Sequence, residues 1–178
     1  MGWKRLTALF VIAAFGITSA WAHGPSRLKV KETVEINAPA DKVWAKIGNF
    51  QDMSWHPAVT KNEGKGANDA KATRVLTLQG GATIEEQLES YDAEKKSYFY
   101  RITNVDVKVL PVSNYSSRLS VTDAGGKTVV EWSGAFYRGF PNNDPPPELS
   151  DDAAAKAVTG VYRGGLDNLK KVMEGGGK

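Results

Sequence analysis

The chain has no cysteine. That excludes disulfides, thiolate metal sites, haem attachment through a cysteine pair and thiol nucleophiles, so the fold must be held by an ordinary core. Histidine is nearly absent as well: His23 and His56 are the whole supply, and no His-x-x-x-His spacing exists. A nucleophile elbow, a Gly-rich phosphate loop and a carboxylate cluster with metal-ligand spacing are all missing. No catalytic constellation and no cofactor are therefore expected. The chain also lacks an excess of one charge, with 23 basic residues against 20 acidic. No basic stripe forms, which excludes nucleic acid as a partner.

Long apolar runs are absent except at one end. Leu6 to Ile17 is apolar, preceded by Lys4 and Arg5 and followed by Ala20-Trp21-Ala22. The run is about ten to twelve residues, whereas a spanning helix needs roughly twenty. Positive flank, short apolar core and small residues at the cleavage positions define a secretory signal over residues 1–22, cut before His23. The expectation is a periplasmic protein with no membrane attachment after cleavage, comprising one domain over residues 23–178. Lys4 and Arg5 leave with the signal, so the mature chain is nearly neutral.

What is present is alternation. Leu28 to Ile36 places Leu28, Val30, Glu32, Val34 and Ile36 on one face, predicting a first strand. Asn37-Ala38-Pro39 ends it. Ala40–Ile47 reads as a short helix, and Phe50–Val59 as a second short helix or turn carrying Trp55-His56-Pro57. Lys61 to Asp69 is polar and Gly-rich, a strand end or loop. A meander follows over 72–78, 82–91, 97–103, 105–109, 115–122 and 128–137, punctuated by Gly80-Gly81, residues 92–96 and Ala124-Gly125-Gly126. After a Pro-rich loop, Ser150 caps a long helix whose apolar stripe runs from Ala154 through Val158, Tyr162 and Leu166 to Met173. One curved sheet wrapped around one long C-terminal helix buries both apolar faces. The fold class is α+β.

Strand parity gives the face that looks at this helix. Trp132 and Phe136 share it, as do Tyr98 and Tyr100, and Ile84, Glu86 and Leu88. Glu86 is a carboxylate in an apolar row, and Arg74 is its basic counterpart beside Leu76 and Leu78. A two-residue Gly80-Gly81 hairpin would mix the faces. A three-residue Gln79-Gly80-Gly81 loop sets Leu76 opposite Ile84 and Arg74 opposite Glu86. The predicted pair is either a structural ion pair near the sheet rim or the polar anchor of a ligand cavity. Trp55, His56, Arg74, Glu86, Leu88, Tyr98, Tyr100, Trp132, Phe136 and Tyr162 are the candidate cavity residues. Small helix residues at Ala157, Gly160, Gly164 and Gly165 leave room for such a cavity.

The element order resembles the helix-grip superfamily, also known as SRPBCC, Bet v 1-like or START-like, which includes polyketide cyclases and lipid carriers. The residues that carry the resemblance are Val34-Glu35-Ile36-Asn37-Ala38-Pro39, Val43-Trp44, Trp55-His56-Pro57, Thr73 to Leu78, Glu86-Gln87-Leu88 and Val130-Glu131-Trp132. A narrower resemblance rests on the His23-Gly24 start, Asn114 to Ser117, Ala135 to Gly139 with the Pro145-Pro146-Pro147-Glu148-Leu149 loop, and Ala157 to Tyr162. It is to the MxaD type of periplasmic methanol-oxidation accessory proteins. This resemblance implies a non-enzymatic helper of a methanol dehydrogenase and its cytochrome c partner.

The expected function is thus accessory, with a small hydrophobic ligand in the cavity. A carrier of lipid or another hydrophobic molecule and a cyclase or hydrolase using His56 and Glu86 are the alternatives. The loop bearing Phe140, Pro145, Pro146 and Pro147 is the candidate partner-facing surface, because stiffened chain loses little entropy on docking. His23 would carry a free α-amine after cleavage and, with His56, could form a copper site; otherwise it is a plain terminal histidine.

Overall fold

The computed structural model describes residues 24–175. The signal segment and His23 lie outside them. Seven strands form one antiparallel sheet in the order β1-β7-β6-β5-β4-β3-β2. The strands are β1 (Leu28–Ile36), β2 (Val59–Lys65), β3 (Thr73–Leu78), β4 (Thr83–Asp92), β5 (Ser97–Val105), β6 (Val112–Asp123) and β7 (Thr128–Arg138). Helix α1 (Ala40–Ile47) follows β1, and the long helix α2 (Asp151–Gly175) ends the described chain after a 3-10 turn at Pro147–Leu149. No helix among the described residues is long and apolar enough to cross a membrane.

The long helix is where the apolar period placed it. Ala154, Val158, Tyr162, Gly165, Leu166 and Leu169 are its buried residues, a stripe at helical spacing that faces the sheet. Ser150 caps it: its Oγ accepts the Ala153 N–H at 3.2 Å, and its carbonyl accepts that of Ala154 at 3.0 Å. Along β1 the inward residues Val30, Val34 and Ile36 are buried, while Lys29, Lys31, Thr33 and Glu35 are exposed.

The β3–β4 hairpin has the three-residue loop. Leu76 lies opposite Ile84, and Arg74 opposite Glu86. Gly80 (φ 93°) and Gly81 (φ 85°) both occupy the left-handed region that a side chain would strain. Leu78 and Ala82 close the loop through Leu78 N–H to Ala82 O at 2.8 Å.

Two segments differ from expectation, and a third settles a choice that the sequence left open. A single short helix, not two, follows β1, since Phe50–Ala58 is a series of turns. Asp52 Oδ1 takes the Ser54 N–H at 2.8 Å, the His56 N–H bonds back to Met53 O, and Pro57 disfavours helical backbone at His56. The run at 105–109 is not a strand of its own: Val105 ends β5, and 106–109 turn about Asp106, whose Oδ1 and carbonyl accept the Lys108 and Val109 N–H groups. The polar stretch beginning at Lys61 belongs to β2, an edge strand whose polar face meets solvent. There Gly64 makes room for Gln51, whose Oε1 sits 1.8 Å from where a Cβ would stand.

Candidate functional site

The centre of the concave face is a buried ion pair. Arg74 is 1% exposed; its Nε donates to Glu86 Oε2 at 2.6 Å and its Nη1 to Phe50 O at 2.6 Å. The guanidinium lies 4.1 Å above the Phe50 ring centre and 5.2 Å from that of Tyr100, two cation–π contacts that offset part of its desolvation. Its Nη2 is buried with no partner among the described residues. Burial pushes the Glu86 carboxyl up from its ordinary range, and the Arg74 charge pulls it back.

Around the pair stand four buried tyrosines. Burial pushes Tyr98 up to about 12 and raises Tyr100, Tyr115 and Tyr162 as well, so all four are neutral hydroxyls at physiological pH. Two of their contacts join a Ser117 bond in a chain with a fixed direction. Ser117 Oγ donates to Ser133 O at 2.9 Å, which spends its only proton. Tyr162 OH must therefore donate to Ser117 (2.8 Å) and accept from Tyr115 OH (2.7 Å). Separately, Tyr100 OH accepts from Trp132 Nε1–H at 3.1 Å.

His56 is 5% exposed and tied at both nitrogens. Its Nδ1 accepts the Ala58 N–H at 3.2 Å, so Nε2 carries the proton and donates to Val161 O on α2 at 2.9 Å. Gly165 permits this approach, because a Cβ there would lie 2.6 Å from His56 Cδ2 and 2.9 Å from Trp132. With both nitrogens committed, His56 has none left for a metal, which removes the third ligand from the copper site considered above. Among the described residues no group of three His, Asp or Glu could hold a metal ion.

Burial lowers the His56 pKa below its ordinary value near 6.5, the Val161 hydrogen bond opposes this, and the Arg74 charge lowers it further. Glu86 lines the same space and is neutralised by Arg74. The unfolded chain then takes a proton at His56 before the folded one does. Stability from this group is present above about pH 6.5 and is lost as pH falls toward the lowered folded value, at up to about 1.4 kcal/mol per pH unit. Urea unfolding between about pH 7.5 and 5.5 should show this decline in the natural sequence and a flatter profile in His56→Gln. Equal slopes would mean that His56 titrates freely.

Between the sheet and α2 lies a cavity of about 70 Å³, lined by His56, Glu86, Tyr100, Tyr115 and Trp132 together with Met53, Leu76, Ile84, Leu110, Val161 and neighbouring aliphatic residues. Of the ten residues the sequence marked, His56, Glu86, Tyr100 and Trp132 line it. Trp55, Arg74, Leu88, Tyr98, Phe136 and Tyr162 are packed behind the wall, each no more than 2% exposed. Aromatic stacking closes that volume: Trp132 and Tyr162 lie 4.5 Å apart at 14°, and Trp55 packs on Trp132 at 5.5 Å. Glu86 presents its free oxygen here. Oε1 accepts no hydrogen bond from the described residues, and unlike Arg74 Nη2 it is not sealed off.

Tyr115 is a lining residue that sequence reasoning passed over. It shares parity with the buried Ser117, Leu119 and Val121, so the alternation did mark it inward. The bulge between Ser113 and Ser116, with Asn114 at φ 45°, sets its aim.

The loop after β7 is held from within. Arg138, 5% exposed, donates to Phe140 O, Asn142 O and Asp151 Oδ1 at 3.0, 2.8 and 3.3 Å. Phe140, Pro145 and Pro146 are half-buried, and Pro147 is exposed.

A curved seven-stranded antiparallel sheet gripping one long helix over a small cavity defines a helix-grip protein of the Bet v 1-like kind. A family model described as polyketide cyclase / dehydrase and lipid transport matches residues 27–174, and the chain belongs to this family. Among solved structures, the protein XoxI from Bacillus cereus is 30% identical, with 82% of this chain and 94% of that one covered and a TM-score of 0.69. An uncharacterized protein of Bacillus thuringiensis is 29% identical over 82% of this chain and 98% of its own, with a TM-score of 0.70. Norcoclaurine synthase from Thalictrum flavum, solved with dopamine and hydroxybenzaldehyde, shares the fold (TM-score 0.62) at 16% identity, over 93% of this chain and 96% of that one. No curated protein is significantly similar to the chain.

Proposed function

We propose that this protein is a periplasmic accessory protein of methanol oxidation. In this reading it serves a methanol dehydrogenase and its cytochrome c partner, and it acts by binding a small, largely apolar ligand. The observation that carries the binding mode is the state of the polar groups at the cavity. Both His56 nitrogens are spent on backbone, and the Tyr115 proton is spent on Tyr162. What remains is a fixed apolar wall with few polar atoms, the make-up of a binding site. The cellular setting is supported by the export signature at residues 1–22 and by the sequence resemblance to the MxaD type. The pinned loop at Phe140 and Pro145–Pro147 offers a partner a surface that is already ordered. A carrier of whole lipids fits less well, because about 70 Å³ is far below the roughly 300–1,000 Å³ of pockets for larger ligands.

Tagged full-length chain recovered from the periplasm of methanol-grown cells should retain a dehydrogenase and a c-type cytochrome. Native mass spectrometry of the same material should show a small-molecule adduct. Recovery of neither protein would end the accessory reading, whatever the cavity holds. One observation favours an enzyme instead: a carboxyl raised by burial at a cavity wall has the character of a general acid. Turnover of a small substrate that Glu86→Ala or His56→Ala abolishes would replace the binding reading with that one.

A further inference from the structure

The polar groups left unspent at the cavity point to a ligand class. Glu86 Oε1 is an acceptor without a donor. Tyr100, whose oxygen takes the Trp132 N–H, keeps a proton that no described residue accepts, and it sits diagonally from Glu86 across the β4–β5 pair. Tyr115, its proton spent, keeps lone pairs. A hydroxyl is the small group that both gives and takes one hydrogen bond. Charge narrows the choice. Arg74 already neutralises Glu86, so an ammonium would bring an unbalanced charge into an apolar space, and a carboxylate would meet the Glu86 oxygen. Size narrows it further: about 70 Å³ is roughly half of the ~150 Å³ apolar cavity that admits benzene.

Building on the binding reading above, we propose that the cavity is a site for a short-chain neutral alcohol, its O–H donating to Glu86 Oε1 and its oxygen accepting from Tyr100. The alkyl chain lies against Leu76, Ile84, Val161 and Met53. Recognition is of the hydroxyl, and the ion pair with Arg74 holds the carboxylate in place to make it.

The test compares ethanol, a probe well below benzene in volume, with its isomer dimethyl ether, which can accept but cannot donate, and with ethylammonium and acetate, by amide chemical-shift titration of the full chain. A hydrogen bond to a charged acceptor predicts that the alcohol binds at least about tenfold more tightly than each of the other three. Val161→Phe, which fills the cavity without touching the ion pair, should abolish binding of all four. Glu86→Gln should shrink the alcohol-to-ether ratio; if that variant does not fold, the four-ligand comparison on the natural sequence still decides. Equal binding of alcohol and ether, lost in Val161→Phe, would overturn the hydroxyl assignment and leave the binding reading standing. Tighter binding of the ammonium or the carboxylate would overturn it in the same way. Failure of every probe to bind the natural sequence would remove both.

Discussion

Glu86→Ala should destabilise the protein by about 3–5 kcal/mol, a large part of the roughly 5–15 kcal/mol that holds a domain of this size together. The cost comes from what stays behind. Arg74, 0% exposed at its side chain, cannot shed its proton, and Phe50 O would be its last hydrogen-bond acceptor. Arg74→Ala should hurt less, because the stranded Glu86 can escape by taking a proton. That variant should therefore gain on the natural sequence as pH falls. Arg74→Met combined with Glu86→Leu should recover most of the loss, since apolar packing of similar volume replaces a buried pair at little cost. Urea unfolding midpoints of the four proteins form a cycle. A loss below about 1 kcal/mol for Glu86→Ala would mean that water reaches Arg74.

This pair also shows how much of the fold was legible in the sequence. Parity made Glu86 and Arg74 inward, and one hairpin register kept the faces consistent, so a long-range contact followed from a short-range count. The same parity located the buried face of β1 and the stripe of α2. It could not tell wall from cavity. Tyr98 and Tyr100 share a strand, a face and a residue type, yet one is sealed in the core and the other lines the space. What separates them is Trp44 of α1, whose ring packs on Tyr98 at 6.1 Å. The two bonds that hold His56 were not legible, because its partners, Ala58 N–H and Val161 O, are backbone groups that carry no side-chain signature. The segment at Phe50–Ala58 is a helix by its apolar content and a set of turns by Asp52 and Pro57. There local hydrogen bonding decided, not periodicity.

Gly134 has no side chain in the inward row of β7, between Trp132 and Phe136, and the Tyr162 hydroxyl takes the space. A Cβ at Gly134 would lie 2.2 Å from Tyr162 OH and 3.1 Å from Ser116 O. The Tyr162 ring cannot simply swing aside. It is stacked on Trp132, and its hydroxyl joins Tyr115 to Ser117. Gly134→Ala should therefore cost about 2–4 kcal/mol, combining overpacking of about 1–3 kcal/mol with buried hydroxyls left unpaired. Tyr162→Phe should cost about 1–3 kcal/mol on its own, because the Tyr115 proton loses its acceptor. The two changes should not add. Without the hydroxyl the nearest ring atom, Cζ, is 3.4 Å from the new methyl group, an ordinary contact. The double variant should thus be more stable than Gly134→Ala alone, a coupling of the kind seen between residues that share one space. Thermal or urea unfolding of the three variants measures it. Simple additivity would show that the strand, and not the tyrosine, absorbs the extra methyl group.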